Sequence, residues 1–227
     1  MPSAGSVPQL LHEAAAKHGP RPALLARGRT VTYDGVHEYA RGVALGLAAA
    51  GVGRSDVVGL VGPPSIEWLV ADLGALCAGA VVTVFPESLP VAVAAEALRE
   101  SGAKVVFGGD AWLHSEVPST RAAPLGGAAF EALQSEGRAF GRAHPGAFEE
   151  RWRALDAESP ATVTFAPDGG AEGLTHGKLL ALAEAAAGEG EMSEKDIIPV
   201  AGSLAEVPAL ARALAALGAG ARVEVGA

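Results

Sequence analysis

Cysteine, lysine and positive charge are all scarce in this sequence of 227 residues. The single cysteine, Cys77, cannot form an internal disulfide, which is typical of a protein from a reducing compartment. Only 4 of the 17 basic residues are lysine, so few amines are present for any chemistry that needs one. The net charge of −9 does not favour binding to a phosphate backbone, and we therefore expect no nucleic-acid partner.

Long hydrophobic runs are also missing. The most apolar stretch, 57–85, is interrupted by residues that disfavour a membrane span, namely Pro63, Pro64, Glu67 and Asp72. Residues 1–5 lack the charged and apolar segments of a signal peptide. We therefore expect a soluble, cytoplasmic protein with no membrane span.

The composition nevertheless supplies a hydrophobic core, because 49% of the residues are hydrophobic and the mean hydropathy is +0.27. This excludes a disordered chain. Short apolar runs alternate with longer segments of helical periodicity, which predicts an α/β fold: a doubly wound, mostly parallel sheet with helices on both faces. Neither a repeat nor a clean linker divides the sequence, so residues 1–227 are predicted to form a single domain.

Apolar spacing and capping residues place the individual elements. Helices are predicted at 8–18, 90–99, 130–140, 145–155 and 204–217, between Asp34 and Gly51, between Ser65 and Gly79, and after Thr175. Strands are predicted at 57–61, 81–85, 104–107, 161–165, 196–200 and 221–225, with a hairpin of 22–25 and 30–33. Asp34, Ser65 and Thr175 are the predicted N-caps, and Pro145 is predicted to start its helix. The stretch after Gly108 is predicted to begin as a loop.

The best candidate site is the glycine-rich turn between the strand at 161–165 and the helix after Thr175. Amides in such a turn, with a helix dipole behind them, can hold a phosphate. Neither the dinucleotide nor the mononucleotide fingerprint is met, however, since the turn lacks lysine and carries two carboxylates, Asp168 and Glu172. On the residues alone, an ordinary strand-to-helix turn is favoured over a phosphate site.

Other catalytic constellations are not visible in the sequence. The six histidines show no metal-ligand spacing and are interpreted as surface or capping residues, so no metal site is predicted. No nucleophile elbow occurs, and Cys77 lies on the apolar stripe of a helix. Trp68 and Trp152 are predicted to belong to the core. We therefore predict no catalytic residue.

Five segments occur in the order seen in adenylate-forming, or AMP-binding, enzymes. They are Thr-Tyr-Asp at 32–34, Gly-Val-Gly-Arg-Ser-Asp-Val-Val at 51–58, Pro-Pro-Ser-Ile-Glu-Trp at 63–68, Ala-Gly-Ala-Val-Val at 78–82 and Ser-Gly-Ala-Lys-Val-Val-Phe at 101–107. The chain resembles the amino-terminal part of this superfamily, closest to the long-chain fatty acyl-CoA synthetases, over residues 10–225. The resemblance implies the same α/β fold.

Enzymes of this family join ATP and a carboxylate into an acyl-adenylate and then transfer the acyl group to CoA. Their phosphate loop reads Y-T-S-G-T-T-G-x-P-K-G and is followed by T-H, whereas this sequence has the shorter Phe-Ala-Pro-Asp-Gly-Gly-Ala-Glu-Gly-Leu-Thr-His at 165–176. The resemblance implies a degenerate nucleotide-binding loop whose remaining residues are Gly169, Gly170, Gly173, Thr175 and His176. ATP with Mg²⁺ is then a cofactor only if this loop still binds it. Glu172 stands about where the family has its lysine, which should weaken triphosphate binding.

The resemblance also implies missing parts. The histidine that follows L-P-L in the family has no counterpart near 199–206, and no counterpart is found for the acidic metal-binding motif, the ribose-binding aspartate or the small carboxyl-terminal domain. We therefore expect a truncated pseudoenzyme that acts as a binding or assembly module, with a second copy (a homodimer) or a full-length synthetase as partner. Two alternatives stay open: a half-enzyme that binds ATP or an acyl-adenylate with a partner chain, and a small-ligand-binding domain of the doubly wound type.

Overall fold

The strands of the protein form two sheets. A computed structural model describes residues 4–86, 89–165, 170–190, 192–200 and 202–226. Both sheets are mostly parallel and are covered by helices, which confirms the predicted α/β class. The strands are divided between two sheets rather than the single sheet of the prediction, and a helix that is apolar on nearly all sides lies between them.

The bounds of the elements agree closely with the sequence pattern over most of the chain. The helices are α1 (Val7–His18), α2 (Tyr33–Ala49), α3 (Ile66–Ala78), α4 (Val91–Glu100), α5 (Ala111–Glu116), α6 (Ala128–Ala143), α7 (Ala147–Arg153), α8 (His176–Gly190) and α9 (Val207–Ala219). The strands are β1 (Pro22–Ala26), β2 (Arg29–Thr32), β3 (Val57–Val61), β4 (Val81–Phe85), β5 (Val105–Gly108), β6 (Arg121–Ala123), β7 (Pro160–Phe165), β8 (Ala171–Thr175), β9 (Ile197–Val200) and β10 (Arg222–Val225).

The four-stranded sheet joins the two ends of the described chain. Its strand order is β2-β1-β10-β9, and β10 pairs in parallel with both β1 and β9. The six-stranded sheet has the order β6-β5-β3-β4-β7-β8 and is parallel except for the β7–β8 pair. Helices α4 and α5 cover one face of the six-stranded sheet through a cluster that includes Phe85, Leu98 and Leu113.

Helix α3 forms the centre of the core. Every residue of α3 except Glu67 is buried, and the helix contacts β1 of one sheet and β3, β4 and β5 of the other. A helix that is hydrophobic all round is stable only when it is covered on all sides. Its one buried carboxyl, Asp72, has no hydrogen-bond partner among the described residues, and burial raises the pKa of Asp72 to about 7.

Local capping is partly as predicted. Ser65 accepts a hydrogen bond from the amide of Trp68 at 3.0 Å and caps α3, and Gly79 ends the helix in the left-handed conformation. The predicted cap Asp34 is wrong, because Thr32 accepts the amide of Gly35 at 3.1 Å and the cap therefore lies two residues earlier. Pro145 does not start α7 either, since Gly146 at φ 90° intervenes.

Three short elements lie where the sequence predicted none. Helix α5 and strand β6 occupy part of the stretch after Gly108 that was predicted to be loop, and β8 lies between the glycine-rich turn and α8. Strands β6 and β8 are the two edges of the six-stranded sheet. Edge strands of three to five residues carry little periodicity, which is why the pattern did not indicate them. Among the described helices, none is long and apolar enough to cross a membrane.

Helices α2 and α6 pack in close contact because glycine faces glycine. A methyl group built on Gly137 of α6 would overlap the carbonyl oxygen of Gly42, and one built on Gly46 of α2 would overlap the carbonyl oxygen of Leu133. Both backbones therefore approach more closely than any side chain allows. This contact fixes α6 on the outer face of α2.

Gly137→Ala is expected to lower the free energy of unfolding by about 2 kcal/mol, because the added methyl group forces the two helices apart. Gly188→Ala is the matched control, since Gly188 also lies in a helix but nothing stands within 4 Å of the added carbon. This control is expected to raise the free energy of unfolding by about 0.5 kcal/mol through helix propensity. Urea denaturation measures the free energy of unfolding of both variants. A change of the same sign in Gly137→Ala and Gly188→Ala would contradict the close helix packing at Gly137.

Candidate functional site

The predicted glycine turn connects two paired strands. Strand β8 runs antiparallel to β7, with Gly173 opposite Val163 and Glu172 opposite Thr164. Gly169 and the rest of 166–169 lie outside the described residues. The expectation that the turn leads directly into a helix is wrong, because the whole of β8 separates it from α8. The dipole of α8 therefore does not stand directly behind the turn.

The exposed face of this hairpin carries a negative charge. Gly170, Glu172 and Gly173 are all exposed, and a side-chain carbon added at Gly173 would meet nothing within 4 Å. Gly173 is thus not held by close packing against other parts of the protein. The Glu172 carboxylate is the charge that an anion would meet on approaching β8.

Thr175 is the N-cap of α8, as predicted. Its Oγ1 accepts a hydrogen bond from the amide of Lys178 at 3.3 Å, which satisfies one of the free amides in the first turn. The side chain is half-buried. A capping role therefore accounts for a hydroxyl at this position whether or not a nucleotide binds.

His176 is completely buried and links the start of α8 to the start of α1. Its Nδ1 accepts a hydrogen bond from the amide of Val7 at 3.4 Å, 169 positions away, and its own amide donates to the carbonyl of Ser159 at 3.1 Å. Among the described residues its Nε2 has no partner. Burial lowers the pKa of His176 to about 4, against a smaller opposing effect of Asp156. The imidazole is therefore neutral and helps to cap α1.

A short polar loop before β7 positions His176, and the sequence analysis missed it. Ser159 Oγ donates to Asp156 Oδ1 at 2.7 Å and accepts from the Arg54 guanidinium at 3.2 Å. The hydroxyl of Ser159 holds the pKa of Asp156 below its usual value. The signal was the Asp-Ala-Glu-Ser spacing at 156–159, which is typical of a side chain that accepts amides two and three residues later.

The remaining histidines and tryptophans are mostly structural. His18 is buried, so the interpretation of all histidines as surface or capping residues is wrong for it; its ring lies against Gly220, which has room because it lacks a side chain. His12 and His37 contact each other, with Nδ1 and Nε2 3.4 Å apart. No group of three or more potential metal ligands occurs among the described residues. Trp68 and Trp152 are buried, as predicted.

Cys77 lies inside α3 and is almost fully buried. Burial, with a smaller contribution from Asp72, raises the pKa of the Cys77 thiol. A protonated, inaccessible thiol is a poor nucleophile.

An apolar cavity of about 650 Å³ opens between α8 and α9 beside the edge strand β9. Leu182, Met192, Val207 and Ala209 are among its lining residues. Leu182 remains 41% exposed, and the neighbouring Ile197 of β9 remains 45% exposed. Within the described residues, this surface therefore combines an edge strand with exposed aliphatic side chains.

Comparison with known proteins identifies the relatives of this chain. The family profile described as AMP-binding enzyme matches residues 11–225. Surfactin synthase subunit 1 of Bacillus subtilis (strain 168) is 34% identical over 107 residues, which are 47% of this chain and 3% of that protein. The long-chain-fatty-acid–CoA ligase ACSBG2 of Rattus norvegicus is 35% identical over 78 residues, 33% of this chain and 12% of that protein. The matched part is thus a small share of each relative.

A solved structure shares the fold. The Klebsiella oxytoca NpsA N-terminal subdomain in complex with 3-hydroxybenzoyl-AMSN superposes with a TM-score of 0.70 at 18% identity, over 97% of this chain and 53% of that chain. At this identity the likeness concerns the fold alone. It confirms the predicted α/β fold, and the match of the family profile to residues 11–225 confirms the predicted resemblance to AMP-binding enzymes.

Acid is expected to destabilise the protein through His176. Because folding lowers the pKa from its ordinary 6.5 to about 4, the unfolded chain binds a proton more readily than the folded chain between these values. This contribution to stability is present above pH 6.5 and falls as the pH decreases towards 4, by about 3 kcal/mol in total. Chemical denaturation across this pH range gives the difference in the free energy of unfolding between wild type and His176→Gln. A difference that is independent of pH would contradict the lowered pKa of His176.

Proposed function

This chain belongs to the AMP-binding enzyme family, and on that premise we propose that it is a binding or assembly module that does not form acyl-adenylates by itself. The observation that carries the proposal is the exposed Glu172 on a hairpin strand, beside the turn where the resemblance implies a cationic phosphate loop. In this proposal the protein works in the cytoplasm, and its ligands derive from fatty acid metabolism.

Charge is the first argument. At close range, replacing a cation by a carboxylate changes the interaction with a triphosphate from attraction to repulsion. Catalysis of phosphoryl and acyl-adenylate chemistry depends mainly on fixed positive groups around the developing charge. The lysine nearest to the turn in sequence, Lys178, lies exposed in the first turn of α8, beyond β8.

The second argument is that Thr175 and His176 have structural roles. Thr175 caps α8 and His176 helps to cap α1, so both stabilise the fold even in a protein that binds no nucleotide. A Thr-His pair in this place is therefore compatible with a module that has lost adenylation and kept the scaffold.

The third argument concerns the partner. The apolar cavity beside β9 exposes aliphatic side chains, and removing them from water by covering them is favourable in free energy. We propose a second copy of this chain as the occupant, because an identical surface on two copies can close into a symmetric dimer.

Sedimentation velocity is expected to show a monomer that becomes a dimer as the concentration rises. Leu182→Glu places a charge in the apolar cavity and is expected to weaken the dimer about tenfold or more, because the carboxylate must lose its water. Val91→Glu is the matched control: Val91 is 44% exposed on α4, far from the cavity in sequence. A monomer at every concentration would contradict self-association and leave a full-length synthetase as the partner to be mixed in next.

A second candidate function is a half-enzyme that still holds ATP or an acyl-adenylate together with a partner chain. The observation that favours it is the NpsA structure, in which an N-terminal subdomain with the same fold is in complex with 3-hydroxybenzoyl-AMSN. In this chain the binding residues would be Gly169, Gly170, Gly173 and Thr175.

Calorimetric titration with Mg–ATP and then with a non-hydrolysable acyl-adenylate analogue separates the two functions. If the protein is an assembly module, the wild type is expected to give no heat of binding with either ligand. Glu172→Lys is then expected to gain measurable affinity for Mg–ATP, because it restores a cation beside the turn. Glu184→Lys makes the same charge change in the middle of α8 and is expected to gain nothing. Micromolar binding by the wild type would overturn the first proposal in favour of the half-enzyme.

A further inference from the structure

Three arginines surround a small cavity on the outer face of α2 and α6. The cavity has a volume of about 270 Å³ and is lined by Arg41 of α2 and by Arg138 and Arg142 of α6, with Glu38 as its only acidic lining residue. We call it the arginine cavity. This concentration of positive charge occurs on a protein whose net charge is −9.

Two glycines are among the lining residues of the cavity. Gly42 of α2 and Gly141 of α6 have no side chain, so the two helices approach closely there. A methyl group built on Gly141 would come within 2.8 Å of the Leu45 side chain. The helices are therefore closely packed beside the arginines.

The charges of the arginine cavity are poorly compensated. Within the part of the chain that the structure describes, neither Arg138 nor Arg142 takes part in an ion pair. Arg41 pairs with Glu38 at 3.8 Å, and its guanidinium also lies 5.9 Å from the centre of the Phe148 ring. By contrast, Arg121 forms a bidentate ion pair with Glu136, with hydrogen bonds of 2.8 and 2.9 Å. Arg138 and Arg142 are one helical turn apart, a spacing at which like charges repel.

We propose that the arginine cavity binds the phosphate group of a small phosphate ester. Guanidinium groups present paired donors that match phosphate oxygens, and a dianion would relieve the repulsion between the three arginines. The volume suits one phosphate group rather than a whole drug-sized ligand.

A second cavity offers room for the rest of the ligand. It has a volume of about 510 Å³ and shares Arg138 with the arginine cavity. Tyr39, which is 44% exposed, is in its lining and offers an aromatic face, beside the charged side chains of Arg29, Glu67 and Glu131. The ligand class is therefore a phosphate ester with an apolar or aromatic body. This site lies on α2 and α6, away from the β7–β8 hairpin, and does not rest on the proposed function.

Equilibrium dialysis with phenyl phosphate and with inorganic phosphate, in low-salt buffer free of other phosphate, tests the site. Phenyl phosphate is expected to bind, and Arg138→Gln and Arg142→Gln are each expected to weaken it about tenfold, the loss of one charge-assisted contact. Glu38→Gln is expected to tighten binding, since it removes the only lining carboxylate. Arg99→Gln removes the same charge from an exposed arginine of α4 and is expected to change nothing.

The outcomes distinguish the ligand from general charge attraction. Inorganic phosphate is expected to bind more weakly than phenyl phosphate, and Tyr39→Ala is expected to remove that advantage while leaving phosphate binding unchanged. Equal affinity for both ligands would overturn the proposal of an ester ligand and would indicate that the cavity binds free phosphate. An equal loss of affinity in Arg99→Gln, or no binding by the wild type, would overturn the site itself.

Discussion

The pairing of β10 with β1 is the constraint on which the rest of the fold depends. Leu24 stands beside Val223 in parallel register, so the two ends of the described chain meet inside one sheet. Tyr33 strengthens this closure, since its buried hydroxyl donates to the carbonyl of Ala221 at 2.6 Å across 188 positions. The four-stranded sheet that this pairing completes covers α3 on one side, and the six-stranded sheet covers it on the other.

The candidate site is tied into the same closure. His176 caps α1, whose far end packs near α9, and Thr175 starts the helix that packs on α9. The residues that resemble a nucleotide loop therefore divide into two kinds. Thr175 and His176 are held by contacts with the scaffold, whereas Glu172 and Gly173 are exposed on the edge strand β8. The packing of the fold therefore constrains the first pair more than the second.

Much of the fold was predictable because its signals are local. The continuous apolar runs of β3 and β4 and the Ser65 cap with Gly79 at the end of α3 are each readable within a few residues. The site was predictable only in part. The Thr175 cap follows from its position before a helix, but strand β8 does not, because its exposed residues pair with β7 through the backbone and leave no periodicity.

By itself the sequence determined the α/β class, most helix and strand bounds and the family, since these depend on hydrophobic spacing and on short ordered motifs. Tertiary structure alone decided the rest. It separated the strands into two sheets around α3, buried His18 and His176, and gathered Arg41, Arg138 and Arg142 around one cavity. The physical reason is the same throughout: these features join residues that are distant along the chain, and only the packing of whole elements fixes which of them meet.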